Sequence, residues 1–297
     1  MKSWISAARP RTLPLAAASI GMGGFLAYFH GLFDWVIFML CLTTTLLLQI
    51  LSNLANDYGD HMHGADHSER IGPVRMVQSG EISAEKMKSA MIGVAVVTFF
   101  IGMWLLIRSL GVGTKEFYIM LTLGILSILA AVKYTSGKKP YGYQGLGDLA
   151  VIVFFGLVAV LGSYYLQTGN IRWDHLLPAI SCGSFATAVL NVNNIRDIDS
   201  DRKAGKLSIP VRIGRSAAIR YHWVLLFTGL ICSVVFTTMN FRNVWQWLFL
   251  LVVPLIYLNG AAVMKKTGQE LDPYLKQMAI TTLLYVVTFG LGLVISS

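Results

Sequence analysis

Apolar residues occur along this chain in long runs separated by short polar segments. Nine of these runs are close to the roughly 20 residues that a helix needs to cross a bilayer. None has the apolar and polar alternation expected for a strand of a membrane barrel. The runs lie near residues 13–29, 33–53, 88–107, 117–134, 148–167, 176–195, 217–239, 245–264 and 277–295. The pattern predicts an all-α integral membrane protein with nine transmembrane helices.

The second and sixth apolar runs each end in a cluster of asparagine and aspartate. The clusters contain Asn53, Asn56, Asp57 and Asp60, with Asp66 farther on, and Asn194, Asp197, Asp199 and Asp201. If the helices continue, spacings of three and four place most members of each cluster on one helical face. Carboxylates at the end of a membrane helix are costly unless a cation offsets their charge. The recurrence of the cluster four helices later favours a shared binding function over two solvated helix ends.

The charge distribution indicates topology rather than nucleic-acid binding. Only 13% of residues are charged, mean hydropathy is +0.61, and the net charge is +9. If the N-terminus is cytoplasmic, 20 of the 24 lysines and arginines fall on the cytoplasmic side, as the positive-inside rule requires. Both aspartate clusters then face the cytoplasm. We therefore expect a multi-pass membrane protein with no nucleic-acid partner.

Oxygen ligands without cysteine suit Mg²⁺ or Ca²⁺, and basic residues follow both clusters. The segment from Arg70 to Arg75 contains Gly72 and Pro73, so it has the turn and the paired bases of an anion-binding loop. A diphosphate held between metal ions and basic side chains would explain both features. A diphosphate site that opens into an apolar helical bundle predicts a lipid diphosphate as the ligand, with its tail between helices in a cavity that excludes water.

Three other segments each have two interpretations. Residues 1–12 contain Arg9 and Arg11. They are either an amphipathic anchor or a segment whose basic side chain reaches an anion at the cytoplasmic mouth of the cavity. The loop 134–148 is either a lid over the substrate or an interfacial loop with aromatic residues. His61, His63 and His67 could bind a transition metal, but their spacing does not form one helical face, which favours solvated loop histidines.

The two clusters resemble the motifs of the UbiA superfamily of intramembrane aromatic prenyltransferases. Asn56-Asp57-Tyr-Gly-Asp60 is similar to the Asn-Asp-x-x-Asp motif of the superfamily, and Asp197-Ile-Asp-Ser-Asp201 is similar to its Asp-x-x-x-Asp motif. Further similar stretches begin at Ala8, Ser52, Arg70, Pro140 and Asn193. Within the superfamily the chain most resembles the branch of 1,4-dihydroxy-2-naphthoate polyprenyltransferases in menaquinone synthesis.

The resemblance implies nine helices around a central cavity, in one domain spanning residues 1–297, in a bacterial inner membrane. It implies Mg²⁺-dependent transfer of a polyprenyl group from its diphosphate to 1,4-dihydroxy-2-naphthoate, with loss of CO₂ and diphosphate, giving demethylmenaquinol, the reduced form of demethylmenaquinone. The implied catalytic residues are Asp57, Asp60, Asp197 and Asp201, and the implied metal-binding set adds Asn53, Asn56, Asp66 and Asn194. Diphosphate candidates by charge and position are Arg75, Lys138, Arg202, Lys203 and Lys206. Candidates for positioning the aromatic acceptor are Tyr134, Tyr141 and Tyr143.

One departure from the superfamily pattern concerns a further aspartate expected four residues after Asp60. Gly64 stands there, and Asp66 is the nearest carboxylate. Two rival functions also remain. One uses another acceptor, such as 4-hydroxybenzoate or a porphyrin. The other is a cation transporter, which the sequence argues against because no ionisable residue lies midway through any predicted span.

Overall fold

The computed structural model describes residues 1–63, 72 and 74–297. These residues form helices joined by short links, and they contain no β-strand. Nine helices in this part of the chain are long and apolar enough to cross a membrane, which confirms the predicted all-α class and helix number. They are α1 (Lys2–Phe29), α2 (Trp35–Met62), α3 (Ala84–Leu110), α4 (Lys115–Lys133), α5 (Gly147–Thr168), α6 (Trp173–Arg196), α7 (Arg215–Met239), α8 (Val244–Lys265) and α9 (Gly268–Ile295).

Helix α2 is longer than its apolar run, so the first aspartate cluster lies within the helix rather than after it. The run was predicted to end at Asn53, whereas the helix continues to Met62. The Asp34 carboxylate begins α2 by accepting hydrogen bonds from the N–H groups of Val36 (2.8 Å) and Ile37 (3.1 Å), as a capping residue does. The continued helix gives the first cluster a rigid backbone.

Helix α6 lies at the centre of the bundle. In its most apolar stretch 78% of the residues are buried, compared with 6% for α4. It packs against α5, α7 and α9, while α9 also packs against α1 and α8. The main core joins α1 to α5–α9 and contains large buried aromatic side chains such as Phe185, Tyr285 and Phe289. Helices α2–α4 contact this core on one side, and a cavity lies between them and α5 and α6.

Two glycines allow α5 and α6 to approach closely. A Cβ atom on Gly156 would lie 2.7 Å from the carbonyl oxygen of Ala179 and 3.1 Å from the Cα atom of Gly183. Helix α5 is π-helical at this level, over Ile152–Leu161. Small residues at such contacts let membrane helices gain van der Waals contact. The α5–α6 pair therefore forms a close-packed wall of the cavity.

The links at the motif end of the bundle are packed against one another. The Leu207 N–H donates to the Tyr143 carbonyl (2.9 Å), and the Arg212 guanidinium donates to the Gln144 carbonyl (2.6 Å). These bonds join the α4–α5 link to the α6–α7 link. The Thr135 hydroxyl donates to the Ala55 carbonyl (2.9 Å), which fastens the α4–α5 link to α2. The two aspartate clusters are thereby held at one end of the cavity.

We predict that Gly156→Ala destabilises the protein because the added methyl group has no space at the α5–α6 contact. The expected cost is about 1–3 kcal/mol, measured as a lower unfolding temperature in detergent. Gly93→Ala is the matched control, since nothing lies within 4 Å of a Cβ atom there. Equal unfolding temperatures for the two variants would contradict the close packing.

Candidate active site

A cavity of about 400 Å³ runs into the bundle from the motif end. One end is polar, where both aspartate clusters contribute side chains. The rest is apolar, and its walls include Leu105, Leu106, Met120, Leu121, Phe154 and Phe155. Because α4 is scarcely buried, the wall that it forms is a single helix thick. The shape suits a molecule with a charged head and a long apolar tail.

The negative charges of the first cluster are stabilised by hydrogen bonds and by one basic side chain. The two Asp57 carboxylate oxygens accept hydrogen bonds from the N–H groups of Met76 and Val77, both at 3.0 Å. The Asp60 carboxylate forms an ion pair with Arg75 and accepts a hydrogen bond from the Tyr143 hydroxyl (2.5 Å). Asp57 therefore fastens the segment that presents Arg75 to Asp60.

The asparagines of the first cluster hold neighbouring segments. The Asn53 amide donates to the Ala8 carbonyl (2.8 Å) and to the Thr12 hydroxyl (3.0 Å). The Asn56 side-chain carbonyl accepts a hydrogen bond from the Thr135 hydroxyl (2.8 Å). Both side chains also line the polar end of the cavity, so each has a structural role beside its predicted one.

The second cluster is organised by a buried arginine. Arg196, only 3% exposed, donates to both carboxylate oxygens of Asp197, from Nε (2.8 Å) and Nη2 (2.6 Å). Its Nη1 atom pairs with Asp272 at the start of α9, and Nη2 donates to the Asn193 side chain (2.9 Å). This planar fork fixes the orientation of the Asp197 carboxylate.

Asp201 lies one turn beyond Asp197 in the short helix Ile198–Lys203. Its Oδ1 atom accepts a hydrogen bond from the Lys206 ammonium (3.2 Å). Burial raises the pKa of the Asp201 carboxyl, and the nearby Asp197 raises it further, while Lys206 acts in the opposite direction. A second cation beside this carboxylate would favour its charged form.

The donor atoms at the polar end fit a hard divalent cation. They are carboxylate and amide oxygens, the ligands that Mg²⁺ prefers. Two of them, Asn194 Oδ1 and Asp201 Oδ2, are buried without a hydrogen-bond partner in the part of the chain that the structure describes. Within those same residues, no three side chains of His, Cys, Asp or Glu converge on one point. The oxygens are thus available as two flanking sets rather than as one closed cage.

The structure brings together ten of the predicted site residues. The cavity is lined by Asn53, Asn56, Asp60, Arg75, Tyr134, Tyr141, Asn194, Asp197, Asp201 and Lys206. Among the described residues, five predicted members lie outside its lining: Asp57, Lys138, Tyr143, Arg202 and Lys203. Asp66 was also predicted to bind metal, and it lies outside the described residues.

Two of the three predicted tyrosines face the cavity. Tyr134 and Tyr141 contact each other edge to face, with ring centroids 5.4 Å apart, and the Tyr141 hydroxyl donates to the Ala130 carbonyl (2.9 Å). Tyr143 instead binds Asp60 and contacts the His63 ring (5.3 Å). Burial raises the pKa of all three phenols, so they remain hydrogen-bond donors at neutral pH.

Sequence reasoning missed Arg196 and Asp272. Neither residue was among the candidate site residues, and the sequence around Asp272 lacks the asparagines of the two clusters. The structure joins them in one buried ion-pair network with Asp197. The adjacency of Arg196 and Asp197 was the available signal, but Asp272 is 75 positions from Asp197 and carries no local mark.

Comparison with known proteins places this arrangement in a family. The model of the UbiA prenyltransferase family matches residues 16–294. The chain belongs to the UbiA prenyltransferase family. It is 45% identical to the 1,4-dihydroxy-2-naphthoate octaprenyltransferase of Haemophilus influenzae, over 99% of this chain and 96% of that protein.

Solved structures of UbiA homologues share the fold. A homologue from Aeropyrum pernix matches with a TM-score of 0.68 at 16% identity, over 96% of this chain and 97% of that one. A homologue from Archaeoglobus fulgidus, bound to GPP and Mg²⁺, matches with a TM-score of 0.59 at 16% identity, over 98% of this chain and 99% of that one. The nine-helix arrangement is therefore that of UbiA intramembrane prenyltransferases.

We predict that Asp57→Asn loosens the segment around Arg75, because an amide group would face an N–H group of Met76 or Val77. Trypsin cleavage at Arg75 in the detergent-solubilised protein without added metal should be about 10-fold faster, as expected for losing one charge-assisted hydrogen bond. The exposed Asp199→Asn is the control. An unchanged rate in Asp57→Asn would show that Asp57 does not fasten this segment.

Proposed function

We propose that this protein transfers a polyprenyl group from polyprenyl diphosphate to 1,4-dihydroxy-2-naphthoate in menaquinone biosynthesis. The reaction forms a carbon–carbon bond to the naphthalene ring and releases diphosphate and CO₂, giving demethylmenaquinol. The observation that carries the proposal is 45% identity, over 99% of the chain, to a protein named 1,4-dihydroxy-2-naphthoate octaprenyltransferase. The amphiphilic cavity supports it independently.

Mg²⁺ is the proposed cofactor, in keeping with the Mg²⁺ bound to the Archaeoglobus fulgidus homologue. When bound, it would stabilise negative charge on the departing diphosphate. Asp60, Asp197 and Asp201 would hold it from the cavity wall. The remaining members of the proposed metal-binding set are Asn53, Asn56, Asp57, Asp66 and Asn194.

The basic side chains of the site are proposed to exchange partners on substrate binding. In the structure Arg75 pairs with Asp60, and Lys206 pairs with Asp201. A carboxylate that takes a metal ion as its partner would release its basic side chain to donate to phosphate oxygens. We place Arg75 and Lys206 at the diphosphate for this reason, and Lys138, Arg202 and Lys203 farther out as candidates for attracting it.

The apolar wall would protect the reacting carbon from water. A polyprenyl group that loses diphosphate develops positive charge at its allylic carbon, which water would quench. Phe154 and Phe155 line the cavity from α5, and Tyr134 and Tyr141 line it from the α4–α5 link. Aromatic faces attract positive charge. Tyr134 and Tyr141 are also the proposed contacts of the acceptor ring, with Tyr143 positioning Asp60.

We propose that the chain is one transmembrane domain, residues 1–297, in a bacterial inner membrane among its lipids. The N-terminus and both aspartate motifs would face the cytoplasm. The support is the distribution of basic residues, 20 of 24 on that side. Both ionised substrates would then enter from the cytoplasm.

We expect purified protein to convert a polyprenyl diphosphate and 1,4-dihydroxy-2-naphthoate to a prenylated quinol that lacks the carboxyl group. Mass spectrometry should detect this product with Mg²⁺ and not with EDTA. Product from 4-hydroxybenzoate alone would overturn the proposed acceptor and keep the chemistry. Absence of product from both acceptors would contradict the proposal.

We predict that Asp197→Asn lowers kcat about 100-fold or more, because metal-ion catalysis contributes several kcal/mol. The variant should remain folded in the membrane but with a lower unfolding temperature, because the substitution removes one of the two carboxylates that pair with the buried Arg196. Asp199→Asn removes a carboxylate two residues away whose side chain is 88% exposed, and it should retain activity. Wild-type turnover by Asp197→Asn would rule out its proposed role in metal binding.

A further inference from the structure

Arg11 differs from the other basic side chains that line the cavity. Arg75 and Lys206 pair with aspartates of the two clusters, and Arg9 also has an interaction partner. Arg11 lines the same polar end, yet no hydrogen bond or ion pair joins its guanidinium to a described residue. Its five N–H donors are thus available at the mouth of the cavity.

The backbone around Arg11 is held firmly in place. Arg9 has a φ of 49°, a left-handed conformation that costs a non-glycine residue roughly 1–2 kcal/mol. It interrupts α1, and Pro10–Thr12 form a short turn after it. Asn53 and Gln49 donate to the Thr12 hydroxyl (3.0 and 3.2 Å), which fastens this turn to α2. The strained turn is therefore kept in position by two polar side chains of α2, of which Asn53 is buried.

The charged side chains near Arg11 already form ion pairs with one another. Its charged neighbours are Arg196, Asp197 and Asp272. Both aspartates bind the Arg196 guanidinium. Arg11 consequently lies beside a second guanidinium whose carboxylates are engaged, and it is partly buried. An arginine in this position would gain most from an anion that enters the cavity.

The cations of the polar end fall into two groups. Arg75 and Lys206 pair with Asp60 and Asp201, whereas Arg11 lies beside Arg196, Asp197 and Asp272. We place the first pair of cations at the diphosphate, while the carboxylates near Arg11 already bind Arg196. Arg11 is left for a different anionic group of the reactants, and the acceptor in the proposed function carries one, its ring carboxylate.

We propose that Arg11 binds the carboxylate of the aromatic acceptor and selects for acceptors that carry one. This inference rests on the proposed function. A guanidinium and a carboxylate match as a planar fork with two parallel hydrogen bonds. The fork would fix the ring relative to the allylic carbon. Because it stabilises the carboxylate as an anion, its role is orientation of the acceptor rather than promotion of CO₂ loss.

The test compares Arg11→Gln and Arg11→Lys with wild type on two acceptors, 1,4-dihydroxy-2-naphthoate and 1,4-naphthalenediol, which lacks the carboxylate. For the naphthoate, Arg11→Gln should raise KM and the equilibrium dissociation constant about 10- to 100-fold, the effect of losing a charge-assisted pair. Arg11→Lys should recover part of the loss. The KM for polyprenyl diphosphate should stay within about twofold of wild type. Arg220→Gln, which removes an exposed charge on α7, is the matched control.

The diol provides the decisive comparison. Wild type and Arg11→Gln should bind it with similar affinity, because it has no carboxylate to form the two-bond fork with the guanidinium. Equal losses on both acceptors, or a raised KM for the diphosphate instead, would overturn the inference, and the second result would assign Arg11 to the diphosphate. Dissociation constants from equilibrium dialysis need no turnover. Tight naphthoate binding by wild type without product would therefore contradict the proposed function alone, while no binding would overturn both.

Discussion

Burial of carboxylates at one end of an apolar bundle is the constraint on which the rest of this structure depends. Asp57, Asp60, Asp197 and Asp201 are each no more than 8% exposed. An isolated ionised carboxylate in such surroundings would be very costly. Each one is therefore met by a cation or by backbone N–H groups, and the segments that supply these partners are held in place as a result. The positions of the links at the motif end follow from this electrostatic requirement.

The large hydrophobic core and the thin wall of the cavity lie in different parts of the bundle. Helices α1 and α5–α9 share one large core with aromatic side chains at its centre. The second cluster begins at the end of α6, the most buried of the nine spans described, and continues into the short helix Ile198–Lys203. Helices α2–α4 pack in smaller clusters, and α4 contributes a wall that is one helix thick. One cluster thus lies on the rigid half and the other on the half that borders the lipid.

The spans could be predicted from sequence because apolar length is a local property. The asparagine and aspartate spacing predicted one helical face for Asn53, Asn56, Asp57 and Asp60. Asn53, Asn56 and Asp60 line the cavity, whereas Asp57 binds the N–H groups of Met76 and Val77. The end of α2 was predicted too early, because polar residues were taken to indicate exposure to water. In the structure these residues face a cavity. The Arg196–Asp272 pair could not be predicted, since it depends on how α9 packs against α6. The distances of Lys138 and Arg202 from the cavity likewise depend on how the links fold.

The basic residues beside each cluster neutralise its carboxylates in this structure and are proposed to bind phosphate oxygens when substrate is present. Both roles follow from the cost of leaving a buried charge without a partner. In the structure described, Arg75, Arg196 and Lys206 neutralise carboxylates that would otherwise repel one another. In the proposed function, the carboxylates would take a metal ion as their partner, and Arg75 and Lys206 would then donate to the phosphate oxygens. The number of opposite charges in contact is similar before and after, so the exchange avoids leaving a buried charge alone. Arg196 is the exception, because Asp272 would continue to hold it, and this suits a residue that orients Asp197 rather than one that moves to the substrate.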